Sequence, residues 1–195
     1  MVSERPRGRP RREELTDSIL ETALDLLATK GFKSLRLEDV AAQVGTSKQA
    51  LYRRWPSKPA LVAAAIQRAL AKVNPEAPNT GDARRDLVVV LSNTFHTLET
   101  TPLGGAIRAL VGETGDPELL VLLQQVEKAR RKLLYDVLKR AVPRRTDIDL
   151  DIDLLLGTGY FRFLLRRVPL GNDLAARAVN ALLGKQHRGS SGLTG

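Results

Sequence analysis

The sequence predicts an all-α protein in which a short helix-turn-helix unit precedes a helical bundle. Apolar residues recur every three or four positions along most of the 195-residue chain, which is the period of a helix packed on one face. No segment alternates apolar with polar residues as a half-buried strand would. Prolines separate the periodic segments at intervals that suit helices of ordinary length.

The first predicted helix spans residues 13–29 and gathers its apolar side chains on one face. Leu15, Ile19 and Leu26 lie on that face, and acidic residues occupy the opposite one. Gly31 follows at the position where a helix ends in a left-handed cap.

Two shorter helices are predicted next, at residues 37–44 and 48–54, with a glycine between them. Gly45 suits a turn that needs a positive φ, and Ser47 can cap the helix that follows. Small and apolar residues stand on both sides of the turn, where two crossing helices must touch. The spacing therefore predicts a helix-turn-helix unit.

The rest of the chain predicts helices that pack as a bundle, because each segment carries a stripe of leucine, valine or alanine. The predicted segments are 58–73, 82–99, 103–112, 117–141, 149–166 and 172–184.

Composition restricts the class of protein and of partner. The chain has no cysteine, so a disulfide framework or a thiolate zinc site is excluded. No apolar run approaches the roughly 18 residues of a membrane-spanning helix, so we expect a soluble, cytoplasmic protein without a membrane partner. The formal net charge of +9 favours a polyanionic partner.

The charge is concentrated where the helix-turn-helix unit is predicted. The stretch VGTSKQALYRRWPSK, residues 44–58, contains four basic residues and no acidic one. Leu51 and Trp55 are four apart and can pack inward, while Lys48, Gln49 and Arg53 can point at DNA. Glutamine suits adenine edges and arginine or lysine suits guanine edges in the major groove. A solvated basic helix face with a buried tryptophan is the alternative.

The longer stretch GFKSLRLEDVAAQVGTSKQALYRRWPSK resembles the N-terminal DNA-binding domain of tetracycline-repressor-type (TetR-family) transcriptional regulators. The shared pattern is a glycine and an aromatic residue after the first helix, two helices joined at a glycine, a tyrosine in the second of these, and an aromatic residue before Ser-Lys. The match covers about residues 13–65.

The resemblance implies a homodimer that binds a pseudo-palindromic operator in double-stranded DNA, and a helical C-terminal domain that dimerises and binds a small-molecule inducer. The sequence itself offers no nucleophile–base pair, metal cluster or phosphate loop, so we expect no cofactor and no catalytic or metal site. The chain would then divide into a basic flexible arm (1–12), the DNA-binding domain (13–58), the ligand-binding and dimerisation domain (59–186) and a disordered tail (187–195). The positions that match DNA contacts of the family are Ser47, Lys48, Gln49, Tyr52 and Arg53, with Lys58 at a phosphate contact.

Two positions depart from the family pattern. Arg36 stands where a serine or threonine usually caps the second helix, so that cap should be missing and Arg36 is free to reach a phosphate. Thr46 replaces an apolar residue, so its side chain can face DNA.

The arm contains RPRGRPRR, residues 5–12, which resembles the core of an AT-hook. Arg7 and Arg9 could lie in a narrow A·T-rich minor groove, where the negative potential is strongest. The alternative is an unstructured leader that adds only salt-dependent attraction to any DNA.

The C-terminal residues support weaker assignments. In the family the last two long helices form the dimer interface, and the candidates here are Leu155, Leu156, Val179, Leu182 and Leu183, unless these leucines and the valine fill the core of the single chain. A ligand cavity inside the bundle would use aromatic or polar side chains. The candidates by residue type are Phe95, His96, Tyr135, Tyr160 and Phe161, each of which could equally be plain core.

Other motifs do not support a metal or nucleotide site. DIDLDIDL, residues 147–154, lacks the glycine and the closing glutamate of a calcium loop, so dipole-stabilising acids at a helix start are the better interpretation. GTGY, residues 157–160, lacks the full dinucleotide fingerprint. The absence of such sites argues against an enzyme, and the family resemblance implies a ligand-responsive repressor. An architectural DNA-binding protein without an inducer is the alternative.

Overall fold

The structure is a computed structural model that describes residues 9–113 and 115–184, with side chains from residue 13 onwards. As predicted, the described chain is helical and contains no strand. The helices are α1 (Arg9–Ser34), α2 (Leu37–Gln43), α3 (Lys48–Tyr52), α4 (Lys58–Val73), α5 (Ala83–Thr100), α6 (Pro102–Leu110), α7 (Pro117–Ala141), α8 (Ile148–Tyr160), a π-helical segment (Phe161–Arg166) and α9 (Leu174–Leu183).

Helix α1 starts earlier than predicted, at Arg9 and not at residue 13. Arginine is a good helix former, and Pro10 lies in the first turn, where its missing N–H is not needed. The predicted flexible arm therefore loses its last four positions, 9–12, to the helix. Gly31 interrupts α1 with φ 79°, as predicted from its role as a helix stop.

The packing of the described residues divides into two compact units, and the first extends beyond the predicted DNA-binding domain. It comprises the described residues up to Pro75 together with those between 97 and 132. Helix α1 packs on α4 and α6 around a core that includes Leu27, Leu51 and Leu61. Gly105 permits the close approach of α6 to α1, because a Cβ there would lie 2.9 Å from the Cβ of Ala28.

The second unit comprises residues 76–96 and the described chain from Leu133 onwards. Helix α8 starts as the acidic pattern predicts: the Asp147 carboxylate accepts a hydrogen bond from the Leu150 N–H at 3.0 Å. The second glycine of GTGY has a packing role, since a Cβ on Gly159 would overlap the ring of Phe95. The predicted helix 149–166 has the right extent, but its last six residues are π-helical and end at Arg167 with φ 53°.

A buried carboxylate joins the start of α5 to α7 within the second unit. Asp86 is 1% exposed. It accepts hydrogen bonds from the Thr80 hydroxyl at 2.7 Å and the Thr80 N–H at 3.3 Å, and Arg140 lies 3.5 Å away. The Thr80 hydroxyl, more than Arg140, holds the pKa of Asp86 below its ordinary value of 3.8, against the opposing effect of burial.

Replacing Asp86 by asparagine is expected to destabilise the fold at neutral pH and much less in acid. A carboxyl group whose pKa is lower in the folded state stabilises that state above its ordinary pKa, and this contribution disappears as the pH falls below 3.8. Thermal melts at pH 7 and pH 3 check this, with the exposed Glu76→Gln as the charge-matched control. Equal melting temperatures of Asp86→Asn and the parent protein at pH 7 would contradict it.

No helix in the described ranges is both long enough and apolar enough to cross a membrane.

Candidate nucleic-acid interface

A tight turn sets α3 against α2. The N–H of Thr46 donates to the carbonyl of Ala41 at 2.9 Å and that of Gly45 to the carbonyl of Ala42 at 3.4 Å. These two bonds form the pattern of a helix end closed by a left-handed residue, and Gly45 has φ 67° as the sequence predicts. The turn thus fixes the direction in which α3 leaves α2.

Helix α3 is held to the protein by one face. The Ser47 hydroxyl caps it, accepting from the Ala50 N–H at 3.2 Å. Leu51 is fully buried, and Trp55 is half-buried against the same core, so both anchors predicted from the sequence face inward. The Arg54 guanidinium adds a third contact, donating to the Thr16 hydroxyl of α1 at 2.9 Å.

The opposite face of α3 presents the predicted DNA-reading side chains to solvent. Gln49 and Arg53 are exposed, one helical turn apart, and within the described residues their side chains form no hydrogen bond or ion pair. Ser47 and Lys48 are exposed on the same side, Tyr52 is 40% exposed, and Thr46 is half-buried. The structure therefore brings these six candidates together on one surface.

Lys48 differs from its neighbours because its ammonium group already has a partner. It forms an ion pair with the carboxylate of Glu38 in the first turn of α2, and it lies 5.5 Å from the centre of the Tyr52 ring. The Lys48 hydrogen bond is the main cause that lowers the pKa of Glu38, and Glu38 in turn raises the pKa of Lys48.

Lys58 has a structural role that the sequence did not indicate. Its ammonium group donates to the carbonyls of Phe32 at 2.9 Å and Lys33 at 3.3 Å, and lies over the Phe32 ring at 4.5 Å. The start of α4 is thereby fastened to the end of α1. A phosphate contact of Lys58 stays a prediction, with two of its three donors occupied by these carbonyls.

The remaining DNA candidates lie beside α3 or outside the described part. Arg36 is exposed at the N-terminus of α2 and makes no side-chain cap, as expected from its departure from the family pattern. Arg7 lies outside the described residues, and so does the side chain of Arg9. Insertion of the arm into a minor groove therefore stays a prediction.

The structure separates the five ligand candidates. Phe95 is buried against Gly159, whereas Tyr160 is half-buried and the other three, His96, Tyr135 and Phe161, are exposed. None of them lines a cavity of about 470 Å³ in the first unit, between α1, α4 and the residues around the start of α6.

That cavity has an apolar wall and a charged rim. Its apolar wall includes Leu20, Leu24, Ala65, Ala69 and Val73. On the rim, Lys72 pairs with Glu21 at 2.6 Å and Arg68 pairs with Asp17 at 2.7 Å. The carboxylate of Asp25 also lines the rim and has no hydrogen-bond or ion-pair partner within the described residues.

The dimer candidates are mostly inside the chain. Leu155, Leu156 and Val179 are at most 4% exposed, so they fill the core of the single chain, the alternative that the sequence left open. Leu182 and Leu183 are half-buried. The exposed apolar residues of the same region are Leu150, Leu154, Phe161 and Leu165, between 51% and 69% exposed.

Two residues of the site, Glu38 and Arg54, are not among those predicted from the sequence. Glu38 pairs with Lys48 across the turn, and Arg54 contacts Thr16 of α1. In the sequence, Glu38 is identifiable only as an acidic residue ten positions before Lys48, close to a basic patch. Only the crossing of α2 and α3 makes it a contact.

No group of three or more histidine, cysteine, aspartate or glutamate side chains in the described chain is placed to hold a metal ion.

Comparison with known proteins agrees with this geometry. Residues 19–65 match the family described as bacterial regulatory proteins, tetR family, and residues 77–182 match the tetracyclin repressor-like C-terminal domain. The HTH-type transcriptional regulator YdeS of Bacillus subtilis is 30% identical over 189 residues, which cover 92% of this chain and 94% of that protein.

Two further matches cover a smaller and a larger share of the chain. The DNA-binding transcriptional repressor TetR of Mycobacteroides abscessus is 35% identical over 81 residues, 42% of this chain and 43% of that protein. The crystal structure of the TetR family transcription regulator SCO0332 superposes with a TM-score of 0.68 at 31% identity, covering 87% of this chain and 97% of that one. With both of its domains matched and α3 built to present Gln49 and Arg53, this chain belongs to the TetR family of DNA-binding helix-turn-helix transcriptional regulators.

Proposed function

We propose that the protein is a dimeric repressor that binds a pseudo-palindromic operator through α3 and leaves it when a small molecule binds. The observation that carries the proposal is the pair Gln49 and Arg53, exposed and, in the part of the chain that the structure describes, unpartnered. The other face of their helix is anchored by Leu51 and Trp55.

The chemistry of these side chains suits base edges in the major groove. An amide such as that of Gln49 can bond adenine N6 and N7, and a guanidinium such as that of Arg53 can bond guanine O6 and N7. Within the described residues neither side chain forms a hydrogen bond or ion pair, so no such contact has to be broken when DNA binds. Tyr52, Ser47, Thr46 and Arg36 lie beside them, where phosphate contacts would set the register.

Dimerisation is supported by an exposed apolar stripe in the second unit. Leu150, Leu154, Phe161 and Leu165 are spaced by four, seven and four residues, which places them on one side of α8 and its π-helical extension. Gly157 lies between them and has open space where a Cβ would be. A second copy packed against this stripe would remove it from water and present two α3 helices to successive major grooves.

Ligand control is supported by the cavity between α1 and α4. Its volume of about 470 Å³ suits a small organic molecule. The two basic residues of its rim are already paired with acids. Among the described side chains that line the cavity, the Asp25 carboxylate is the charged group without a partner. A ligand with an apolar body and a cationic group is complementary to this arrangement.

The contacts at the start of α4 suggest how such a ligand would act on DNA binding. Helix α4 is fastened to α1 by Lys58, and α3 is fastened to α1 by Arg54. A ligand that moves α4 away from α1 would change the contact of Lys58 with the end of α1. If it binds better to an arrangement with low affinity for DNA, it shifts the protein towards that arrangement.

Selection of bound duplexes from a randomised pool tests the proposed function directly. We expect a two-fold symmetric site, bound far more tightly than scrambled DNA at both low and high salt. Equal and steeply salt-dependent binding to every duplex would instead support the architectural alternative.

The ligand proposal is tested by screening hydrophobic amines for release of the selected duplex. Asp25→Asn is expected to weaken an active amine about fivefold, in line with the loss of one exposed charge pair of up to about 1 kcal/mol. The exposed Glu14→Gln, on the same helix, should leave its affinity unchanged. If Asp25→Asn and Glu14→Gln weaken the release of DNA by the amine to the same extent, or if neither weakens it, the ligand does not bind beside Asp25.

A further inference from the structure

The ion pair between Glu38 and Lys48 joins the two helices of the helix-turn-helix unit at the surface where DNA would lie. The Lys48 ammonium group pairs with the Glu38 carboxylate and lies 5.5 Å from the centre of the Tyr52 ring. Lys48 has three donors, so the pair leaves donors for a further acceptor. The pair favours one position of the ammonium group before DNA is bound, in contrast to a surface lysine without a partner.

Stability does not account for this pair. Both side chains are about half exposed, 52% for Lys48 and 47% for Glu38. Exposed ion pairs contribute about 0–1 kcal/mol to folding. A carboxylate on a surface that binds a polyanion does not strengthen DNA binding through its own charge, so Glu38 does not serve as a DNA contact itself.

An unpaired lysine at this place would bind any phosphate within its reach. Such contacts are independent of sequence and supply nearly all of the affinity for non-specific DNA. When Lys48 is paired with Glu38, its ammonium group is less available to the DNA phosphates. It still has donors left for an acceptor on a base edge next to the pair.

We propose that Glu38 sets the sequence specificity of the protein, holding Lys48 for base contacts and withholding its charge from the phosphates of non-specific DNA. Glu38 is thus a positioning residue that acts through Lys48. This inference rests on the proposed function, since it presupposes a preferred DNA site.

The test compares Glu38→Gln with the parent protein on the selected duplex and on a scrambled one, across a range of salt concentrations. Non-specific affinity is expected to rise about fivefold, and its log–log salt dependence to steepen by about one, because Lys48 gains one phosphate contact. Affinity for the selected duplex should change by less than about twofold, so that the specificity ratio falls about fivefold.

Asp39→Asn is the matched control. Asp39 is the next residue of α2, is similarly exposed, and pairs with Lys30 at 2.9 Å and not with a residue of α3. It removes the same charge from the same helix, and we expect no change in the specificity ratio.

A double variant shows whether the effect passes through Lys48. In a Lys48→Ala background, Glu38→Gln is expected to leave the salt dependence unchanged, since the freed ammonium group is absent. A thermal melt of each variant confirms that the fold is retained.

Three results would overturn the inference: an unchanged specificity ratio in Glu38→Gln, an equal change in Asp39→Asn, or a full effect in the Lys48→Ala background. A parent protein without any preferred duplex is a separate result, since it removes the proposed function itself and the inference with it.

Discussion

Replacing Gln49 and Arg53 together by alanine is expected to lower affinity for the operator about thirtyfold or more. A well-formed bidentate contact with a base contributes about 1–3 kcal/mol, and two are removed. Both side chains are exposed and unpartnered within the described residues, so the fold should not change. Fluorescence anisotropy on the selected duplex measures the affinity, and a thermal melt checks the stability.

The control for this double variant replaces one glutamine and one arginine by alanine on other helices. Gln125 on α7 and Arg85 on α5 are exposed, and their joint replacement by alanine removes the same amide and the same charge. We expect that control to lose no more than a small, sequence-independent part of the affinity. Retention of operator binding by Gln49→Ala/Arg53→Ala would show that α3 does not read the operator.

A carboxylate in the exposed apolar stripe of α8 and its π-helical extension is expected to prevent the proposed dimer from forming. Phe161 is 56% exposed in the single chain, and Phe161→Glu would place a charge in the middle of the proposed apolar contact. Loss of the second half-site should then weaken operator binding about a hundredfold or more, since two linked sites gain 10²–10⁴ in avidity. Sedimentation and anisotropy measure the two effects.

Val89→Glu is the matched control for the dimer. Val89 lies on α5 and is 42% exposed, so the variant introduces the same charge at an apolar surface residue outside the stripe. It should sediment as the parent does. A dimer that survives Phe161→Glu, or is equally sensitive to Val89→Glu, would place the interface elsewhere.

Helix α3 could be predicted in detail because the residues that specify it are close together in the sequence. Gly45 and Ser47 specify the turn and the cap within a few residues, and both act in the structure as expected. Leu51, four positions before Trp55, determines which face of α3 turns inward. Gln49 and Arg53 are then left on the outer face by helical periodicity alone.

The C-terminal helices could not be predicted to the same depth, because their pattern is ambiguous. Leu154, Leu155 and Leu156 are consecutive, so periodicity cannot say which of them faces the core of the chain. The structure buries Leu155 and Leu156 and leaves Leu154 53% exposed. The aromatic ligand candidates were predicted from residue type alone, which does not say where each side chain lies in the fold, and the structure separates them. The cavity of about 470 Å³ is lined mainly by aliphatic residues of the first unit.

The sequence by itself determined the helices, the turn at Gly45 and the exposed face of α3, because each depends on residues within one or two helical turns. The tertiary structure decided which partners meet across helices. It paired Lys48 with Glu38, placed the Lys58 ammonium on the carbonyls of Phe32 and Lys33, and opened a cavity beside Asp25. Such contacts depend on how helices cross and how closely they pack, and the hydrophobic period of each helix specifies neither.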